Sequence, residues 1–225
     1  MEIKSLRFFN GFEEFNRFTF FLEEMKWNIE KQLLKDRVTY YRNNKHFIEL
    51  SEDFYRKKLS IWELKSEEVI TWFDTMTLLR RMFIILFKKR IKTDHLKLFL
   101  EYPLIFGNHM RADYLIVYER LIVVLEFGMF NQDEKRSEER YTKKLQESIN
   151  YRQLLANIVE PQIIVVNYVM IYRPEYDRSR DTFFKDNIDY NNDELIRSFN
   201  FLHLHFNNQN ELSAFEQLRK IALNE

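Results

Sequence analysis

The chain has 225 residues, 45% of them hydrophobic and 16% aromatic, with 35 basic and 35 acidic side chains, a composition that supports a packed core and excludes disorder. Three Gly and three Pro are too few for a turn-rich sandwich or barrel and favour long helices. With no Cys, disulfides, thiolate zinc sites and cysteine nucleophiles are all excluded, which suits a reducing cytoplasm.

Acidic residues interrupt the opening MEIKSLRFFNGFEEF, so no secretory leader is expected. Phe12, Phe15, Phe18, Leu22, Met25, Ile29 and Leu33 recur at intervals of three and four, the period of an amphipathic helix across residues 12–35. Val38–Tyr41 and His46–Leu50 are compatible with short strands around a polar turn at Asn43–Lys45. Another helix is expected from Ser51. Ser66 followed by Glu67 and Glu68 reads as a helix start, continued to about Lys92 by Val69, Trp72, Phe73, Met76, Leu79, Phe83 and Leu86. The apolar run Met82–Phe87 is far shorter than the ~20 residues of a membrane span, so a soluble, cytoplasmic protein with no membrane partner is expected. Residues 26–97 carry 17 basic and 10 acidic side chains, a net of +7, whereas residues 98–225 carry 15 and 20, a net of −5. Such asymmetry can accompany a polyanionic partner.

After Lys97 the pattern changes. Leu98–Phe106, with Pro103, reads as an extended edge segment. Asp113–Tyr118 and Leu121–Phe127 read as two strands joined by a tight turn at Glu119–Arg120, the second apolar on both faces as a buried strand would be. A charged helix is expected over 132–157, with Tyr141, Leu145, Ile149 and Leu154 as packing positions. Gln162–Tyr172 is a β-branched strand. Residues 175–192 look loop-like, Asp193–Phe199 helical and Glu211–Leu223 an amphipathic helix. Strand, strand, helix, strand implies an α/β core, giving a mainly helical, basic region at 1–97 and an α/β core at 98–225. His203 and His205 would share a face if their stretch were a strand, and His109 lies in a polar segment; no nucleophile-elbow, P-loop or dinucleotide-binding pattern accompanies them.

Glu126 is the position that most needs explanation, a carboxylate behind five consecutive apolar residues. Unpaired, it would cost several kcal/mol or take up a proton. A cation partner, protonation or a metal at the strand end would relieve that cost. If the hairpin turns at Glu119–Arg120, Asp113 stands at nearly the same height on the adjacent strand. With Glu101 upstream, these are hard oxygen ligands of the kind that hold Mg²⁺ or Mn²⁺.

Glu101-Tyr-Pro, Arg111-Ala-Asp113, the run ending Val-Val-Leu-Glu126-Phe-Gly128, and Gln146 with Tyr151 on the following helix together resemble the PD-(D/E)XK nuclease superfamily. The resemblance covers residues 98–172. It implies a restriction-endonuclease-like mixed sheet flanked by helices, a divalent metal on Glu101, Asp113 and Glu126, and metal-dependent hydrolysis of DNA phosphodiester bonds, in a setting of defence or mobile elements. It also implies Gln146 as an orienting residue and Tyr151 as a substrate contact. The lysine of the family's E-x-K element is replaced here by Gly128. Lys143, which shares a helix face with Gln146 and Asn150, is the expected substitute, ahead of Lys144 and Lys135. The alternative is an inactive module of the same fold that binds nucleic acid or a protein. Arg111, Arg80, Arg81 and Lys88, with the cluster at Arg56–Lys58, are expected to grip phosphates, and Tyr55 and Trp62 to stack bases. A homodimer or a larger complex would suit an enzyme that cuts both strands.

Overall fold

A computed structural model describes residues 5–29, 34–59, 63–89, 91–104, 110–130, 134–173, 190–207 and 213–223. Its elements in chain order are β1 (Arg7–Asn10), α1 (Phe12–Glu24), α2 (Leu34–Tyr41), α3 (Lys45–Lys57), α4 (Ser66–Phe87), β2 (Leu96–Pro103), β3 (Arg111–Tyr118), β4 (Leu121–Met129), α5 (Glu134–Ile158), β5 (Ile164–Tyr172), α6 (Tyr190–Phe206) and α7 (Ala214–Leu223). The protein is α/β. Its sheet has the order β1-β2-β3-β4-β5, with antiparallel pairing from β1 to β4 and a parallel β4–β5 pair. The long helix α5 supplies the crossover that a parallel pair requires.

Strand alternation divides the core. Tyr114, Ile116 and Tyr118 of β3, with Leu121, Val123 and Leu125 of β4, pack toward α4, α6 and the helices before them. Leu115 and Val117, with Ile122 and Val124, pack toward α5 and α7. Both strands are therefore covered on both faces, which is why Leu121–Phe127 is apolar at successive positions.

Several elements differ from the sequence reading. Val38–Tyr41 and His46–Leu50, compatible with strands, lie in α2 and α3, with the turn between them at Arg42–Asn44. Asn44 caps α3 by accepting from the amides of His46 and Phe47, and Phe47, Leu50 and Phe54 form its buried stripe. The helix expected over 12–35 stops at Glu24, because Lys26 turns left-handed at φ 51°. The strand β1 was not foreseen; four residues are too short to display alternation. The helix α6 continues through His203 and His205, so these side chains do not share a face. His203 instead meets Asn207 and the Phe199 ring, and His205 packs on Phe201. His109, Trp62 and the loop-like stretch from 175 to 189 lie outside the described residues.

The helices of the first 97 residues and the sheet share one apolar cluster, running from Leu6 through Phe73 and Ile116 to Phe206. Inside it Arg37 of α2 grips Asp74 of α4 with two donors, at 2.7 and 3.0 Å, and both side chains are wholly buried. Trp27 Nε1 and the Tyr172 hydroxyl donate to the same carboxylate, so four hydrogen bonds oppose its desolvation, which still leaves its pKa raised. Among the described residues no helix is long and apolar enough to cross a membrane.

Candidate active site

The β3–β4 ladder ends at Tyr114–Leu125. Beyond it, side chains take over the pairing. The amide of Asp113 donates to Glu126 Oε1 at 3.1 Å, and the amide of Phe127 donates to Asp113 Oδ2 at 2.8 Å. Each carboxylate is therefore fixed by the backbone of the neighbouring strand, and the two converge. Between them lies the ammonium of Lys144, 2.6 Å from Glu126 Oε2 and 2.9 Å from Asp113 Oδ2. The acid at 126 is thus neither turned away from Asp113 nor locked against an arginine.

Lys144 reaches this position because α5 buries the stripe Ser148, Tyr151 and Leu155, and position 144 lies one turn before Ser148 on that stripe. Lys143 does not meet the acids. Its side chain is 78% exposed and stands 3.8 Å from Glu147, whereas that of Lys144 is 25% exposed. The cation that meets the two acids is Lys144. Gln146 also faces outward and bonds Asn150 at 3.0 Å, so it does not orient anything at the acids. Tyr151 is buried in the α5-side cluster; burial, reinforced by Glu126, raises its hydroxyl pKa and keeps it neutral.

Position 128 itself has no room for a side chain. A Cβ built there would stand 2.5 Å from Ile171 Cδ1 and 3.6 Å from the Arg140 stem. Ile171 faces Gly128 across the β4–β5 register. No side chain fits at 128 unless Ile171 moves.

Glu101 is placed differently from the expectation that it joins the metal ligands. Its backbone is left-handed, φ 53°, and interrupts the alternation of β2. Leu100 belongs to the α4-side cluster, while Phe99 and Tyr102 belong to the α5-side cluster. The Glu101 carboxylate turns to α4, accepts from Trp72 Nε1 at 2.7 Å and pairs with Arg111 Nε at 2.5 Å. Both of its oxygens are engaged away from the Asp113–Glu126 pair. Among the described residues no three His, Asp or Glu side chains are gathered as a metal cluster; the available donors are two carboxylates.

The electrostatics follow from burial. Glu126, whose side chain is 1% exposed, has its pKa pushed well up by desolvation and by Asp113, against the pull of Lys144. Burial pushes Glu101 up to about 7, with Arg111 opposing and Asp113 adding. For Lys144, burial lowers the pKa but the two carboxylates more than offset it, so the ammonium is held protonated.

Asp113, Glu101, Lys144 and the outward Lys143 line an open cleft of about 650 Å³ across the end of the sheet, between the Glu67–Thr75 stretch of α4 and the Arg140–Glu147 stretch of α5; Glu126 lies behind it. Glu68, Thr75, Arg140 and Glu147 line it as well, and nothing in the sequence motif marked them. The basic residues Arg80, Arg81 and Lys88 do not line it. Arg80 is tied to Glu23 and Asn16 of α1, and Lys88 caps the opposite end of α4, about 24 Å along the helix from Trp72. No protein-family model matches this chain, and no curated protein or solved structure matches it either.

Proposed function

We propose that the protein is a divalent-metal-dependent nuclease of the PD-(D/E)XK type that hydrolyses DNA phosphodiester bonds. The observation that carries this reading is the Lys144 ammonium held between Asp113 and Glu126. It supplies the acid, acid and lysine constellation that the sequence lacks at Gly128. The order helix, three antiparallel strands, crossover helix and parallel strand agrees with the mixed sheet flanked by helices that the resemblance implies.

Asp113 and Glu126 fit a hard divalent cation: both are oxygen donors, both are fixed by backbone amides, and a cation already stands between them. Mg²⁺ is commonly held by one or two carboxylates, with water and substrate phosphate completing its shell, so Glu101 is not required. When bound, such an ion lowers the pKa of a water and stabilises charge developing on phosphate. Lys144, kept protonated by its two acids, does not act as a base; it donates hydrogen bonds and holds positive charge beside the reacting phosphate. The backbone clamps on Asp113 and Glu126 keep the carboxylates aimed without rearrangement during the reaction.

The alternative is an inactive module that binds nucleic acid or a protein. In its favour, Lys144 already serves as counter-ion to a site with two acids. Asp113→Asn and Glu126→Gln decide between the two. Each is expected to lower Mg²⁺- or Mn²⁺-dependent cleavage of labelled DNA by at least about a hundredfold while the circular dichroism spectrum stays native. Cleavage retained in both variants, or no metal-dependent cleavage by the unmodified protein, rejects the nuclease reading.

A further inference from the structure

Arg111 stands two residues before Asp113 on β3, their α-carbons about 7 Å apart, and both line the cleft. They belong to opposite walls. Asp113 meets Lys144 of α5, whereas Arg111 is held on the α4 side. There its Nε lies 2.5 Å from Glu101 Oε2, its guanidinium carbon is 5.1 Å from the centre of the Phe54 ring, and Glu101 is itself held by Trp72. A guanidinium has five donors in a rigid fork, and here its Nε end is held against Glu101 by charge, without a hydrogen bond. Among the described residues its two Nη nitrogens have no hydrogen-bond partner; the nearest acid, Glu68 in the first turn of α4, stands 4.0 Å from Nη2. The side chain is 20% exposed, enough to be reached from the cleft.

We propose that Arg111 is a preformed receptor for a backbone phosphate of a nucleic-acid strand lying across the end of the sheet, next to the phosphate at Asp113 and Glu126. Glu101 is its positioning residue, and Glu68 is a carboxylate that the incoming phosphate displaces. The chemistry is the bidentate pairing of a guanidinium with phosphate oxygens. Glu101, expected as a metal ligand, acts instead through Arg111. The strand's identity rests on the nuclease reading; the anion receptor itself does not need a metal.

The test is fluorescence anisotropy of a short labelled single-stranded oligodeoxynucleotide in EDTA over a salt series, with inorganic phosphate titrated in parallel. Arg111→Met is expected to weaken binding about tenfold at low salt and to flatten the log–log salt slope by about 0.7, the loss of one phosphate contact. Arg111→Lys, which keeps the charge and the fold but lacks the fork, is expected to recover the slope and only part of the affinity. Glu68→Gln is expected to tighten binding severalfold. Glu101→Gln is expected to weaken oligonucleotide binding while Mn²⁺ affinity, read by calorimetry, stays unchanged; a purely structural role would lower the melting temperature without moving the slope. An unchanged slope in Arg111→Met, or inorganic phosphate bound as tightly as the oligonucleotide, overturns the proposal. The two readings fail separately. Loss of the slope with no metal-dependent cleavage leaves the receptor standing and removes the nuclease; cleavage that needs Asp113 with no Arg111 effect does the reverse.

Discussion

Lys143 and Lys144 are adjacent on α5, and a rotation of about 100° along the helix separates a solvated side chain from one clamped between two acids. The chemistry predicted for them differs accordingly. Lys144→Met is expected to lower metal-dependent cleavage at least about a hundredfold, whereas Lys143→Met stays close to the unmodified protein; equal losses in both would remove Lys144 from its assigned role. Counting back one heptad from the buried Tyr151 points to 144, whereas counting by threes from Gln146 points to 143. The second count follows an exposed face, since the inward stripe contains the polar Ser148 and does not look like a core. A second residue-scale expectation concerns Glu101, whose pKa burial raises from the ordinary carboxylate value of 4.5 to about 7. Between those values the folded state binds a proton that the unfolded state has released. Stability therefore rises as the pH falls from 7 toward 4.5. Glu101→Gln removes this term. The unfolding free energy of the native protein relative to Glu101→Gln should then drop by roughly 3 kcal/mol between pH 4.5 and 7.5, read from urea denaturation at each pH; a constant difference contradicts it.

At the scale of elements, the site depends on β4 and β5 approaching closely at Gly128. Its missing side chain leaves the room that Ile171 fills. Gly128→Ala should cost about 1 kcal/mol, because the Ile171 terminus must rotate within a buried cluster, and Ile171→Val in the same chain should recover part of that loss by removing the contacting methyl. Thermal melts of the single and double variants measure this; additive losses would mean that the two positions do not meet. The strands β3 and β4 were legible because burial on both faces writes a continuous apolar run, and β5 because its residues are β-branched and apolar although its first half is only partly buried. The helices α2 and α3 were not, since Val38–Tyr41 and His46–Leu50 are rich in β-prone residues and only the cap at Asn44, with packing of Phe47, Leu50 and Phe54, settles them as helical. Tertiary burial outweighs local propensity over segments this short.

At the scale of the molecule, the Arg37–Asp74 pair joins α2 to α4 and, through the Tyr172 hydroxyl, to the end of β5. Arg37→Met leaves Asp74 buried without its main cation and should destabilise the protein by about 3–5 kcal/mol; Arg37→Met with Asp74→Leu should regain only part of it, because the buried Trp27 and Tyr172 donors then lose their acceptor. Chemical denaturation of both variants checks this, and a double variant as unstable as the single one would contradict it. Neither residue drew attention in the sequence, since a lone arginine and a lone aspartate 37 positions apart carry no pattern. What the amino-acid order determined by itself was the α/β class, the buried hairpin of β3 and β4, and the need for a cation beside Glu126. Each follows from local rules, periodicity in the first two and the cost of desolvating a carboxylate in the third. The tertiary structure alone decided which cation answers that need, and it drew Glu101 away to Trp72 and Arg111. A left-handed backbone at one residue and the rotational phase of one helix set those partners. Both are fixed by packing against distant segments, which no local stretch of sequence encodes.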